Sequence, residues 1–160
     1  VYVPGAGVEI VRMPTDGTTP PRLADALASE RVFKVFHHAP FDLRFMRQNW
    51  GVRPRNVGCT KVLSKIVEPE RESHSLAPLV LTYLRIELDK SARLSDWSQE
   101  LTAEQLSYAA HDVLHLLDLY RHLWKEALNL GVAKLVEQSF AYLPVRVETD
   151  LRGSGDVFAY

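Results

Sequence analysis

The sequence predicts an α/β domain built on a small mixed sheet. Two observations carry that expectation. Short β-branched runs come early in the chain, and helical periodicity dominates later. At 160 residues the chain is long enough to bury one substantial core, so a single domain over 1–160 is expected.

The opening "VYVPGAGVEIVRM" reads as two short strands, Val1–Val3 and Val8–Met13, joined by a Pro-Gly turn. "PTDGTTPP" is a loop, and "PRLADALAS" a short helix with Leu23, Ala24 and Leu27 on one side. "VFKVFHHAPFDLRFM" begins as a buried strand. Pro40 then opens a helix that ends near Trp50-Gly51 and places Asp42 in its first turn. "NVGCTKVLSKIVEP" suggests a short strand leading into another helix. "SHSLAPLVLTYLRIEL" reads as a helix with Pro78 in its first turn, and "DKSARLSDWSQE" as a loop. Thr102 and Gln105 fit a capping box, and Leu106, Ala109, Val113, Leu116, Leu117, Tyr120 and Leu123 follow at helical spacing. One long helix is therefore expected from there to roughly Leu130, ended by Gly131. "VAKLVEQSFAYL" forms a last helix that stops before Pro144.

Composition narrows the function classes. Hydrophobic residues make up 46% and charged ones 24%, ordinary for a globular domain. A net charge of −1 shows no global basic excess, although a basic rim around one cleft is compatible with it. Cys59 is the single cysteine, so no disulfide framework exists and a reducing, cytoplasmic setting is the simplest home. No apolar stretch approaches the roughly 18 residues of a membrane span, so no membrane partner is expected.

Tyr108 and Asp112 stand four apart and share one helix face next to the apolar stripe. An acid there is costly to desolvate unless paired, and a divalent cation is one suitable partner. Asp42, at a strand-to-helix junction, is a second acid that could reach the same ion. Taken singly, Asp42 reads as dipole compensation, Tyr108 as an edge-of-core phenol and Asp112 as a solvated acid. His111 and His115 have the spacing of two zinc ligands, but no third ligand lies in sequence reach.

The blocks "HHAPFDLRFM", "SLAPLVLTYLRIELDKSARLSDW" and "LTAEQLSYAAHDVLHLLDLY" together resemble the ribonuclease D branch of the 3′–5′ exonucleases, over roughly residues 8 to 125. The ending "FAYLPVRVETDLRGSGDVFAY" resembles short single-domain bacterial members without the helical C-terminal nucleic-acid-binding domains. The resemblance implies an RNase H-like mixed sheet flanked by helices. It also implies four acids holding two Mg2+ or Mn2+ ions, which hydrolyse 3′ ends of single-stranded RNA or DNA to nucleoside 5′-monophosphates. By resemblance Asp42 and Asp112 are metal ligands, and Tyr108 orients the attacking water. His38 stands where the family usually has Asn, and could hydrogen-bond a terminal ribose. Phe41 could wedge against a terminal base, although burial beside Phe45 is the plainer reading. Lys90 could touch a phosphate, and Trp97 reads as core packing rather than a stacking platform.

The family's first motif, Asp-x-Glu, occurs nowhere in these 160 residues. The match thus begins one strand late, and the expectation is an N-terminally incomplete domain apparently lacking the first strand. On the order of 40 further residues upstream, or a shortened form, would account for this. Exposed sheet edges could then be covered by a second copy, so a homo-oligomer is considered. An inactive exonuclease-fold module that binds nucleic acid or a protein is the alternative function.

Overall fold

In the computed structural model, which describes residues 1–12, 18–89 and 95–158, the chain opens with a hairpin. Strands β1 (Tyr2–Val3) and β2 (Gly7–Val8) pair antiparallel, with Tyr2 opposite Val8. The second strand is shorter than the sequence pattern suggests. Ile10 and Val11 lie outside it and are exposed, and Met13 falls outside the described residues. Helix α1 (Pro21–Ala28) follows, then β3 (Lys34–Phe36), α2 (Ala39–Trp50), β4 (Val57–Cys59) and α3 (Thr60–Val67). Strands β3 and β4 pair in parallel with Phe36 opposite Cys59, and among the described residues no strand hydrogen bonds join this ladder to the hairpin. Gly51 closes α2 in the left-handed conformation, with φ 65°, which a residue without Cβ adopts at little cost.

Pro78 sits in the first turn of α4 (Leu76–Leu84), where its missing N–H deprives no intrahelical bond. The expected long helix is two helices, α5 (Ala103–Leu114) and α6 (Leu116–Asn129), separated at His115 (φ −96°, ψ −1°). The break has a packing cause. Helix α5 lies against the hairpin, whereas α6 buries Leu116, Leu119, Leu123 and Ala127 and packs along α3. One straight helix cannot present its apolar stripe to both.

Helix α7 (Ala133–Leu151) runs through Pro144 instead of stopping before it. The proline removes one backbone bond, to the carbonyl of Phe140, and costs about 3 kcal/mol in a helix interior. The buried stripe Val136, Phe140, Leu143 and Val147 continues on the same face across it, so packing against α2 offsets that cost. Arg47 of α2 also reaches Glu148 of α7 at 3.0 Å. The core thus sits where α3, α6 and α7 cover the β3–β4 ladder, with Leu63, Leu79, Leu119, Leu123 and Val136 fully buried. Among the described residues no helix is long and apolar enough to cross a membrane.

Candidate functional site

The turn from β3 into α2 carries the first candidate residues. His38 has φ 68° and ψ 43°, a left-handed conformation that costs a residue with a Cβ about 1 kcal/mol or more. The turn is held from three sides. The Phe41 N–H donates to the His38 carbonyl at 3.0 Å, the Ala39 N–H points at Cys59 Sγ at 3.4 Å, and His37 Nδ1 lies 2.8 Å from Thr60 Oγ1. Thr60 in turn donates to the Phe36 carbonyl at 3.3 Å. The first residue of α3 therefore ties together the ends of both parallel strands. Burial, reinforced by the charge of Lys61 and by His38, holds the His37 imidazole down at about 4, so it is neutral at physiological pH.

Asp42 is half-buried in the first turn of α2. Burial pushes its carboxyl up to about 6, and a backbone hydrogen bond within the residue only partly opposes this. Among the described residues it has no cationic partner within ion-pair distance. A carboxylate so placed has two hard oxygen donors and an uncompensated charge, which suits a divalent cation.

Helix α5 carries the second group. Its capping box is complete, with Thr102 Oγ1 accepting from the Gln105 N–H at 3.3 Å and Gln105 Oε1 accepting from the Thr102 N–H at 2.9 Å. Gln105 is buried, and its Nε2 also donates to Ser95 Oγ and to the Asp96 carbonyl, both at 2.8 Å. These bonds hold the preceding loop over the helix, where Trp97 meets Tyr108 at a ring separation of 5.9 Å. Tyr108 and Asp112 are both half-buried. His111 and His115 face each other at 6.2 Å, and His111 Nδ1 is 2.8 Å from the Ser107 carbonyl.

The candidate residues thus stand on two supports. Asp42, His38 and Phe41 belong to the β3–α2 turn, and Tyr108 and Asp112 to the helix against the hairpin. Among the described residues no three His, Cys, Asp or Glu side chains form a metal-holding group. Lys90 lies outside the described residues. Phe41 is not buried beside Phe45. It is 63% exposed, and Phe45 instead packs edge-on against Trp50 at 5.5 Å. The helix turns both rings outward because Ala39 and Leu43 take its inner face. Trp97, at 39% exposed, is likewise not a core residue.

A cavity of about 840 Å³ opens beside the β3–α2 turn, bounded by α2, α3 and α7. His38 and Phe41 line it together with Arg44, Lys61, Lys65 and Arg146. The three basic residues from α2 and α3 went unread in the sequence. The four-residue spacing of Lys61 and Lys65 was the available signal, but only folding brings them opposite Arg44.

Parallel strands, a half-buried acid at a strand–helix turn and a tyrosine–acid pair on a separate helix make up an α/β domain with its candidate residues on two elements. Residues 8–128 match the 3′–5′ exonuclease domain family, and the chain belongs to it. It is 35% identical over 123 residues to the ribonuclease D of Zymomonas mobilis, covering 76% of this chain and 31% of that protein. The chain therefore spans about a third of the length of that curated relative. Among solved structures it is similar to Brucella melitensis NrnC, with TM-score 0.85, 35% identity, and coverage of 90% of this chain and 71% of that one. Escherichia coli RNase D has TM-score 0.73 and 26% identity, over 79% of this chain and 34% of its own. The fold is accordingly the RNase H-like one of these exonucleases, a family of hydrolases.

Proposed function

We propose that this chain acts as a divalent-metal-dependent 3′–5′ exonuclease domain, removing nucleoside 5′-monophosphates from the 3′ end of single-stranded RNA or DNA. The observation that carries the reading is Asp42, a half-buried acid raised to about 6 with no cationic partner among the described residues. Brucella melitensis NrnC has been solved with bound Mg2+ and bound to pGG, which supports Mg2+ as cofactor and RNA as substrate. Mn2+ takes the same oxygen ligands as Mg2+, and DNA presents the same phosphodiester to them.

Asp42 and Asp112 would hold the metal. Divalent ions held there would supply a water of lowered pKa and charge to stabilise the leaving oxygen of an in-line displacement. The residues of this chain supply positioning. Tyr108, fixed against Trp97 and one turn before Asp112, orients the attacking water through its hydroxyl. The water oxygen bonds to phosphorus as the bond to O3′ of the penultimate nucleotide breaks. That oxygen takes a proton and becomes the new 3′ end. Phe41, exposed beside His38, offers a face to the terminal base, and His38 a ring nitrogen to its ribose.

A second reading, a non-catalytic binding module, is favoured by one observation: no Asp-x-Glu occurs in the 160 residues. The deciding experiment follows a 3′-labelled oligonucleotide with Mg2+ or Mn2+, comparing the chain with Asp112→Asn. Mononucleotide release that the substitution abolishes supports the exonuclease. Oligonucleotide binding without release supports the module, and release undiminished in Asp112→Asn overturns the site.

A further inference from the structure

We propose that the cavity between α2, α3 and α7 is a binding site for a phosphate monoester, held by Arg44, Lys61 and Lys65. The proposed metal ligands lie outside this cavity, while His38 and Phe41 on its rim are the residues given above to the terminal nucleotide. Neither Asp42, Tyr108 nor Asp112 lines it.

Three observations carry the proposal. The first is charge. The lining brings four cationic side chains and one acid together, in a chain whose net charge is −1. The acid, Asp150, accepts from Arg146 at 3.0 Å, and Arg146 also reaches Asp156 at 3.1 Å, so those groups neutralise one another. Arg44, Lys61 and Lys65 have no acid within ion-pair distance among the described residues. Three cations facing one space without a counter-charge repel each other, and an entering dianion relieves that repulsion.

The second is concentration of field. Lys61 and Lys65 are one helical turn apart on α3 and half-buried and exposed, respectively. After burial, their charge is what holds His38, on the cavity rim, below the ordinary histidine value. Both lysines therefore act on the same wall of the cavity that His38 and Arg44 share.

The third is size and lining. About 840 Å³ is far more than a bare ion needs and falls in the range of small-molecule sites. Phe41 and Tyr142 add aromatic surface beside the cations. A phosphate carrying an aromatic base matches both halves of that lining better than inorganic phosphate does.

The phosphate can come from a free mononucleotide or from the end of a bound nucleic acid. Only the second source rests on the exonuclease reading. The experiment measures binding of AMP and adenosine to the full chain in EDTA by calorimetry. It compares Lys61→Gln/Lys65→Gln with a charge-matched control, Lys125→Gln/Lys134→Gln, on exposed positions away from the cavity. The expected result is AMP binding that weakens roughly tenfold or more in the cavity variant and not in the control, with adenosine binding weakly to all. A second arm compares a short oligonucleotide with and without a 5′-phosphate. A preference for the phosphorylated form that the cavity variant erases assigns the site to nucleic-acid ends. AMP binding with no such preference assigns it to the free nucleotide. The proposal is overturned if neither ligand distinguishes wild type from the cavity variant, or if the control variant weakens binding equally. Because no metal is present, failure here leaves the Asp112→Asn hydrolysis test untouched.

Discussion

Replacing Asp42 by Asn should stabilise the metal-free protein while removing its activity. In the fold the Asp42 carboxyl is raised to about 6 from the ordinary 3.8, chiefly by burial. A folded-state pKa above the unfolded value means the folded chain holds a proton that the unfolded chain has released. The charged carboxylate therefore opposes folding, increasingly as pH rises through the interval between those values, and by a constant amount above it. The shift corresponds to at most about 3 kcal/mol, which partial exposure and loss of the helix-dipole attraction reduce to about 1–2 kcal/mol. The assay is urea denaturation in EDTA, wild type against Asp42→Asn, at about pH 4.5 and about pH 8. The variant should be the more stable at the higher pH, and the gap should shrink towards the lower. Mg2+ should then stabilise wild type and leave the variant unmoved, since only a ligand that binds the folded state shifts the equilibrium. A variant less stable than wild type at the higher pH, or a gap independent of pH, would refute the reasoning that this acid is half-buried without a cationic partner among the described residues.

Other outcomes follow from the same geometry. His37 is held at about 4, so its neutral form stabilises the fold above about pH 6.5, and that stability is lost as pH falls from there towards 4. In His37→Gln, acid denaturation in EDTA should show a shallower loss over that interval than wild type, opposite in sign to the effect of Asp42→Asn. Gln105→Ala removes the side-chain half of the capping box and both bonds to the loop at Ser95 and Asp96. It should cost about 1–3 kcal/mol in a urea titration. Phe41→Ala, at a position 63% exposed, should leave stability within about 0.5 kcal/mol of wild type yet weaken single-stranded oligonucleotide binding by roughly tenfold.

Much of the fold was legible because the signals were local. Thr102 and Gln105 specify a helix start by chemistry within four residues, and Pro40 and Pro78 lie within first helical turns as their missing N–H groups favour. Features set by tertiary packing were not legible. The interruption at His115 follows from two helix faces needing different partners. The passage of α7 through Pro144 follows from a buried stripe that continues on both sides. The outward rotation of Phe41 follows from Ala39 and Leu43 occupying the inner face of α2. For the site, the sequence pattern and its resemblance pointed to Asp42, Tyr108 and Asp112, and the family match over residues 8–128 agrees with the resemblance. The basic cavity could not be read in the same way, because Arg44 and the lysines of α3 meet only once α2 and α3 are packed.

If the proposed site is right, Asp42 and Asp112, on separate elements, share a metal ion. Anomalous diffraction from crystals of the full chain grown with Mn2+ and a mononucleotide tests it most directly. The expected result is a manganese peak with carboxylate oxygens of both residues within about 2.2 Å. Manganese bound elsewhere, or two carboxyl groups facing different cavities with no metal between them, would contradict it.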